Sequence, residues 1–174
     1  LYTSDNFNLI STKPIRTLED LKGKKIRTVG GPLVQALEAL GAVPVVIPMP
    51  DVYLGLQRGT IDGALASWEP YNGFRFYEVA KYVITNAPFG HSFFGIAMNK
   101  NSYNKLPEDA KKAIDSKSGL AGSLWFAEHF SFSSRVVLKD LQSRGIEVVT
   151  YELPDAERQR WVDTGATPIW NAWI

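Results

Sequence analysis

The sequence predicts an α/β fold built on a parallel sheet. Three observations lead there. Between residues 24 and 67, β-branched runs of strand length alternate with segments of helical periodicity, the connections between them are short, and the helical segments carry start and stop residues at both ends.

"KKIRTVG" (24–30) reads as a strand in which Ile26 and Val29 are the buried apolar positions. "GGPLVQALEALG" (30–41) reads as a helix: Pro32 suits the first helical position, Leu33, Leu37 and Leu40 share a face, and Gly41 stands where a left-handed cap is needed. "VPVVIPM" (43–49) is the next strand. "DVYLGLQRG" (51–59) is a helix opened by Asp51 as N-cap and closed by Gly59, and "TIDGALAS" (60–67) is a buried strand. Strand, helix, strand, helix, strand in this order implies parallel pairing, because each helix carries the chain back to the starting edge.

Before this unit, a polar opening leads into "KPIRTLEDLKG", a loop with a short helical turn. After it, "WEPYNGFRFYEVAKYVI" (68–84) is aromatic and partly helical, and "HSFFGIAMNK" (91–100) is a further strand. "LPEDAKKAID" (106–115) starts a helix, with Pro107, Glu108 and Asp109 in its first turn complementing the helix dipole. A long helix runs from about Leu120 to Ser143, along which Leu120, Leu124, Ala127, Ser131, Ser134, Leu138 and Leu141 trace one stripe, and Gly145 ends it. "IEVVTY" (146–151) is a strand, and residues 155–174 form a helical tail broken near Gly165 and Pro168. The apolar end, with Ile169, Trp170, Trp173 and Ile174, requires a packing partner on this chain or another.

The 174 residues carry 19 basic and 18 acidic side chains, so there is no electrostatic reason to expect nucleic acid or an anionic membrane as partner. No stretch reaches the roughly 20 apolar residues of a membrane span. The absence of cysteine removes thiol nucleophiles and disulfides and fits cytosol or periplasm equally. "LYTSDNFNLIS" has neither the charged start nor the small-residue cleavage site of a signal peptide, and the chain reads as an excised or processed piece, any signal peptide already removed.

Enzyme signatures are lacking. "VGGP" is too short for a phosphate-binding fingerprint, and His91 and His129 are too far apart for local metal-ligand spacing, so neither cofactor nor metal is expected. Ser123 lies in a helical tract rather than on a nucleophile elbow. Asp62, before Gly63, reads as a turn residue bonding backbone N–H groups. Glu69, between Trp68 and Pro70 at the sheet's carboxyl edge, suits ligand contact and helix capping equally. Arg27 has two readings: a surface strand residue in a weak salt bridge, or a fixed guanidinium beside a glycine pair and a helix N-terminus, forming a bidentate pair with a ligand carboxylate. Trp68, Phe93 and Phe94 are core by default and walls of an apolar cleft as a group.

Several ordered blocks carry a resemblance: "PIRTLEDLKGKKIRTVGG", "ALGAVPVVIPMPDVYLGLQRGTIDGALASWEP", "FYEVAKYV" and "FGIAMNKNSYNKLPEDAKKAID". Over nearly the whole chain the sequence resembles the DctP-type solute-binding proteins of tripartite ATP-independent periplasmic (TRAP) transporters. The resemblance implies a non-catalytic periplasmic receptor with a two-lobe, type II periplasmic-binding-protein-like architecture, helices covering both faces of its sheet. Such a receptor binds a small organic acid and delivers it to membrane permease subunits. Arg27 falls on the arginine that pairs with the ligand carboxylate, Gly30 where many members place a polar side chain, and Met49 where an aromatic often walls the pocket. Trp68 lies in a contact-supplying loop, and Glu69 and Phe93 complete the expected ligand-binding set. "SWEP" replaces the shorter polar loop of some sialic-acid-type members, which points away from that substrate. Members are longer, so residues 1–91 and 132–174 are expected to form the second lobe and residues 92–131 a strand and helix of the first, largely missing, lobe. Sheet partners lost in this way invite a swapped or associated oligomer. The alternatives are an α/β enzyme acting on a carboxylate substrate, with Asp62 or Glu69 as general base, and the effector-sensing domain of a regulator.

Overall fold

A computed structural model describes residues 1–173, except the side chains of 133, 134 and 173. Ser134 of the expected stripe, and Trp173 and Ile174 of the apolar end, lie outside the described residues. In chain order the elements are β1 (Tyr2–Thr3), β2 (Asn8–Ser11), α1 (Leu18–Leu21), β3 (Lys25–Thr28), α2 (Pro32–Ala39), β4 (Val43–Val46), α3 (Val52–Arg58), β5 (Gly63–Ala66), α4 (Trp68–Gly73) and β6 (Tyr82–Ile84). Then come β7 (Phe93–Phe94), α5 (Lys100–Asn104), α6 (Glu108–Ser116), α7 (Gly119–Ser143), β8 (Val149–Tyr151), α8 (Asp155–Trp161) and α9 (Thr167–Trp173).

The main sheet has the order β4-β3-β5-β2-β6-β8. β4, β3 and β5 are parallel, as the alternation requires, and β6 is parallel to β8. β2, read from sequence as part of a polar opening, is instead a fully buried strand inserted antiparallel between β5 and β6. The sheet is therefore mostly parallel with one reversed strand. One face is covered by α1, α2 and α8 through Leu18, Leu21, Leu37, Leu40 and Trp161, and the other by α3, α4 and α7 through Val52, Leu56, Tyr71, Val137 and Leu141. Each fully buried large side chain contributes roughly 1.5–3 kcal/mol.

Three local expectations change. Val29 is exposed because β3 ends at Thr28, before it. Asp51 makes no side-chain cap; Met49–Asp51 form a 3-10 turn that runs directly into α3, so the expected orphan N–H groups are met by backbone. The predicted strand at 91–100 reduces to β7, which pairs antiparallel with β1, and Ile96 and Met98 beyond it are exposed. Tyr2 stacks on Phe94 and Phe126 at ring separations of 5.3 and 5.0 Å, so residues 2 and 3 sit with the 92–131 segment rather than with the large sheet. The α7 stripe divides accordingly: Leu120 and Leu124 are exposed, whereas Leu141 is fully buried.

The tail is helical without a break. A π turn over Val162–Ala166 joins α8 to α9, and within it buried Gly165 presses on α2: a Cβ there would stand 2.8 Å from Leu40 Cγ. Gly165→Ala is therefore expected to destabilise the fold by about 1–3 kcal/mol through overpacking, measured as a lower urea midpoint at unchanged slope.

α8 is tied to α1 by carboxylates. Glu157 accepts from the Leu18 backbone N–H at 2.8 Å and from Trp161 Nε1 at 3.0 Å, and Arg160 pairs with Glu19 at 2.7 Å. The Arg160 hydrogen bond lowers the Glu19 pKa from 4.5 to about 2. A carboxyl depressed by folding contributes stability that is fully present above its unfolded value and lost as pH falls through the folded one. Thermal stability should hence decline between pH 4.5 and about 2, and Glu19→Gln should make that decline shallower.

Candidate functional site

Because β3, β4 and β5 are parallel, their carboxyl ends share one edge, and the segments leaving them carry Gly30, Met49 and Trp68. Arg27 lies one residue from the end of β3, in register with Val45 on β4 and Ala64 on β5. Its Nε donates to the Ile47 carbonyl at 3.0 Å and one of its η nitrogens to the Leu65 carbonyl at 3.4 Å. The residue is 3% exposed, and no ion pair among the described residues includes it. Among the described residues two of its five guanidinium N–H donors are thus used and three are not. Burial pulls the pKa below the usual arginine value, although the group stays charged. The surface salt-bridge reading of Arg27 is thereby replaced by a desolvated cation without a counter-ion, a state that an incoming anion relieves.

Around it the edge is apolar. Met49 and Trp68 are half-buried and pack on the same cluster as Ala64 and Ala66. Trp68 stands edge-on to Tyr71 at 5.5 Å, and Tyr71, fully buried, donates its hydroxyl to the Ala80 carbonyl at 3.0 Å, so the indole rests on a fixed support. Gly30 has φ 99°, a backbone region open chiefly to glycine, while a Cβ there would meet only Val46 Cγ1, at 3.9 Å. Backbone conformation, not space, requires glycine at this position.

Glu69 and Phe93 are not gathered at this edge. Glu69 lines a groove between α4 and α7 with Asn72, Phe132, Val136 and Asp140, where burial pushes its carboxyl pKa up. Phe93 is 77% exposed in the small β1–β7 sheet. Asp62 precedes β5, at the opposite end from Glu69, and accepts from the Lys25 backbone N–H at 2.8 Å, so its partner is a backbone N–H as expected but one on β3 rather than in its own turn. The two carboxylates therefore form no acid–base pair.

Sequence reasoning missed Asn8. It is 3% exposed, opposite Ala66, and its amide nitrogen has no hydrogen-bond partner. Alternate strand residues share a face, so Asn8 lies with Ile10, Ala64 and Arg27 on one side of the sheet, near the same edge. Ser67, also buried, opens α4 without capping it through its side chain. The signal for Asn8 was a single polar residue inside the apolar run "FNLI".

The family model for DctP, bacterial extracellular solute-binding protein family 7, matches residues 2–173. The chain belongs to this family. Its relatives include the 2,3-diketo-L-gulonate-binding periplasmic protein YiaO of Escherichia coli, 29% identical over 157 residues, covering 88% of this chain and 45% of YiaO. The ectoine-binding periplasmic protein TeaA of Halomonas elongata is 30% identical over 164 residues, covering 91% of this chain and 46% of TeaA. A TRAP solute-binding protein from Rhodoferax ferrireducens, solved with copurified benzoate, superposes with a TM-score of 0.85 at 30% identity, covering 98% of this chain and 54% of that one. The chain spans about half the length of the curated relatives it matches. The family and its solved members are substrate-binding receptors, and their named periplasmic location is that of this DctP-family chain.

Proposed function

We propose that the chain forms the carboxylate-binding part of a non-catalytic receptor that delivers a small organic acid to the permease subunits of a TRAP transporter. The observation that carries this reading is Arg27, buried at the carboxyl edge of the parallel strands, held by two carbonyls and lacking a counter-ion. A ligand carboxylate supplies that charge and takes up the unused donors. Relatives named for binding 2,3-diketo-L-gulonate, and a structural neighbour holding benzoate, support an acid as ligand. Gly30, Met49 and Trp68 border the carboxylate, and Asn8 offers a further donor. Glu69 and Phe93 remain contacts that only a rearranged or completed cleft would bring to the ligand.

In this reading residues 92–131, joined by Tyr2 and Thr3, belong to the other lobe, and the exposed Phe93, Ile96, Met98, Leu120 and Leu124 pack on the rest of that lobe in the longer protein. Closure of two lobes on one ligand follows from contacts made to both at once. Titration calorimetry on the full-length protein tests the function: the acid should bind and be recovered unchanged, whereas turnover would make the protein an enzyme.

A further inference from the structure

The edge that holds Arg27 also limits what the rest of the ligand can be. β6 and β8 run parallel to β5, and β2 runs against it, so the ends of all six strands at this edge can be followed along the chain. The segments meeting there are residues 4–7, 29–31, 47–51, 67, 85–92 and 152–154. They contain no lysine or arginine, and they carry the acidic residues Asp5, Asp51 and Glu152. Arg27 is therefore the one guanidinium or ammonium group this sheet edge presents.

We propose that the ligand is a monocarboxylate with an apolar body, an inference that rests on the carboxylate reading of Arg27. Charge gives the first reason: a second carboxylate entering this edge finds no second guanidinium or ammonium group, and Asp51, beyond the neighbouring strand β4, has its own sign, which selects against dicarboxylates. The lining gives the second. Val29, just beyond the end of β3, is 49% exposed, and with half-buried Met49 and Trp68 it offers the ligand apolar surface. A body rich in hydroxyls finds no hydrogen-bond partner in the side chains of Val29 and Met49, and the side chain of Asn86 is already used, donating to and accepting from the Leu153 backbone, while Asn8 Nδ2 is an orphaned donor on this face. Trp68, backed by Tyr71, is the residue that reads the apolar body, while Arg27 reads the charge.

The test is calorimetric titration of the full-length protein with benzoate, cyclohexanecarboxylate, succinate and D-gluconate, repeated on Arg27→Ala and Trp68→Ala. The expected result is that benzoate and cyclohexanecarboxylate each bind at least tenfold more tightly than succinate or gluconate. Trp68→Ala should lose about tenfold for the two apolar acids and leave thermal stability within a few degrees. Tightest binding of succinate or gluconate, abolished by Arg27→Ala, overturns the ligand class and leaves the carboxylate reading standing. Binding of any of the four that is indifferent to Arg27→Ala, or no binding of any, overturns both.

Discussion

Arg27→Ala in the full-length protein is expected to lower carboxylate affinity by about two to four orders of magnitude. A bidentate carboxylate takes two charge-assisted hydrogen bonds from the guanidinium, each worth about 1.5–3 kcal/mol, and each 1.4 kcal/mol is tenfold in affinity. Stability should change little. The substitution orphans the Ile47 and Leu65 carbonyls but also removes a buried charge that the ligand-free protein leaves without a counter-ion, and these effects oppose each other. Arg27→Lys keeps the charge and loses the planar fork, so its affinity should fall between the two. Calorimetry on the three proteins gives the answer, and equal affinity for wild type and alanine variant would remove Arg27 from the site.

Gly63→Ala is expected to be the most destabilising single substitution in the sheet, by about 3 kcal/mol or more. Gly63 is the first residue of β5, a strand flanked on both sides, and a Cβ there would lie 2.5 Å from the Ile10 carbonyl oxygen and 3.1 Å from Ile26 Cδ1. The first of these is backbone in the adjacent strand and cannot rotate away, so the ladder itself must shift, which places the cost at or above the usual range for overpacking. Urea unfolding of the variant measures it; a midpoint equal to wild type would show that the two strands can move apart freely.

The alternating unit from β3 to β5 was legible because each of its elements carries a local signal. Pro32 does open α2, and Gly41 and Gly59 do take the left-handed conformation at helix ends. The burial of Arg27 was legible only as one of two readings, since a lone arginine in a strand is most often at the surface while Ile26 before it and the glycine pair after Val29 pointed inward. Elements fixed by distant partners were not legible. β2 has four residues, two of them polar, and becomes a central strand only because β5 and β6 bracket it. β6, three residues at the end of an aromatic segment read as partly helical, is defined by β2 and β8 in the same way. At the site, the resemblance supplied Met49, and Trp68 was also read as an aromatic near a strand end; parallel strands ending together put both at one edge. Asn8 was not read, because its place on the face of Arg27 depends on the reversed strand.

That reversed strand also governs how the molecule assembles. Without residues 8–11 the sheet separates into β4-β3-β5 and β6-β8, and only the first of these halves is built from near neighbours in the chain. Residues made early must wait for partners more than fifty positions later before they can be locked in place, which raises the contact order, a property that slows folding. Until β2 docks, β5 and β6 both present bare edges of the kind that template pairing with another chain.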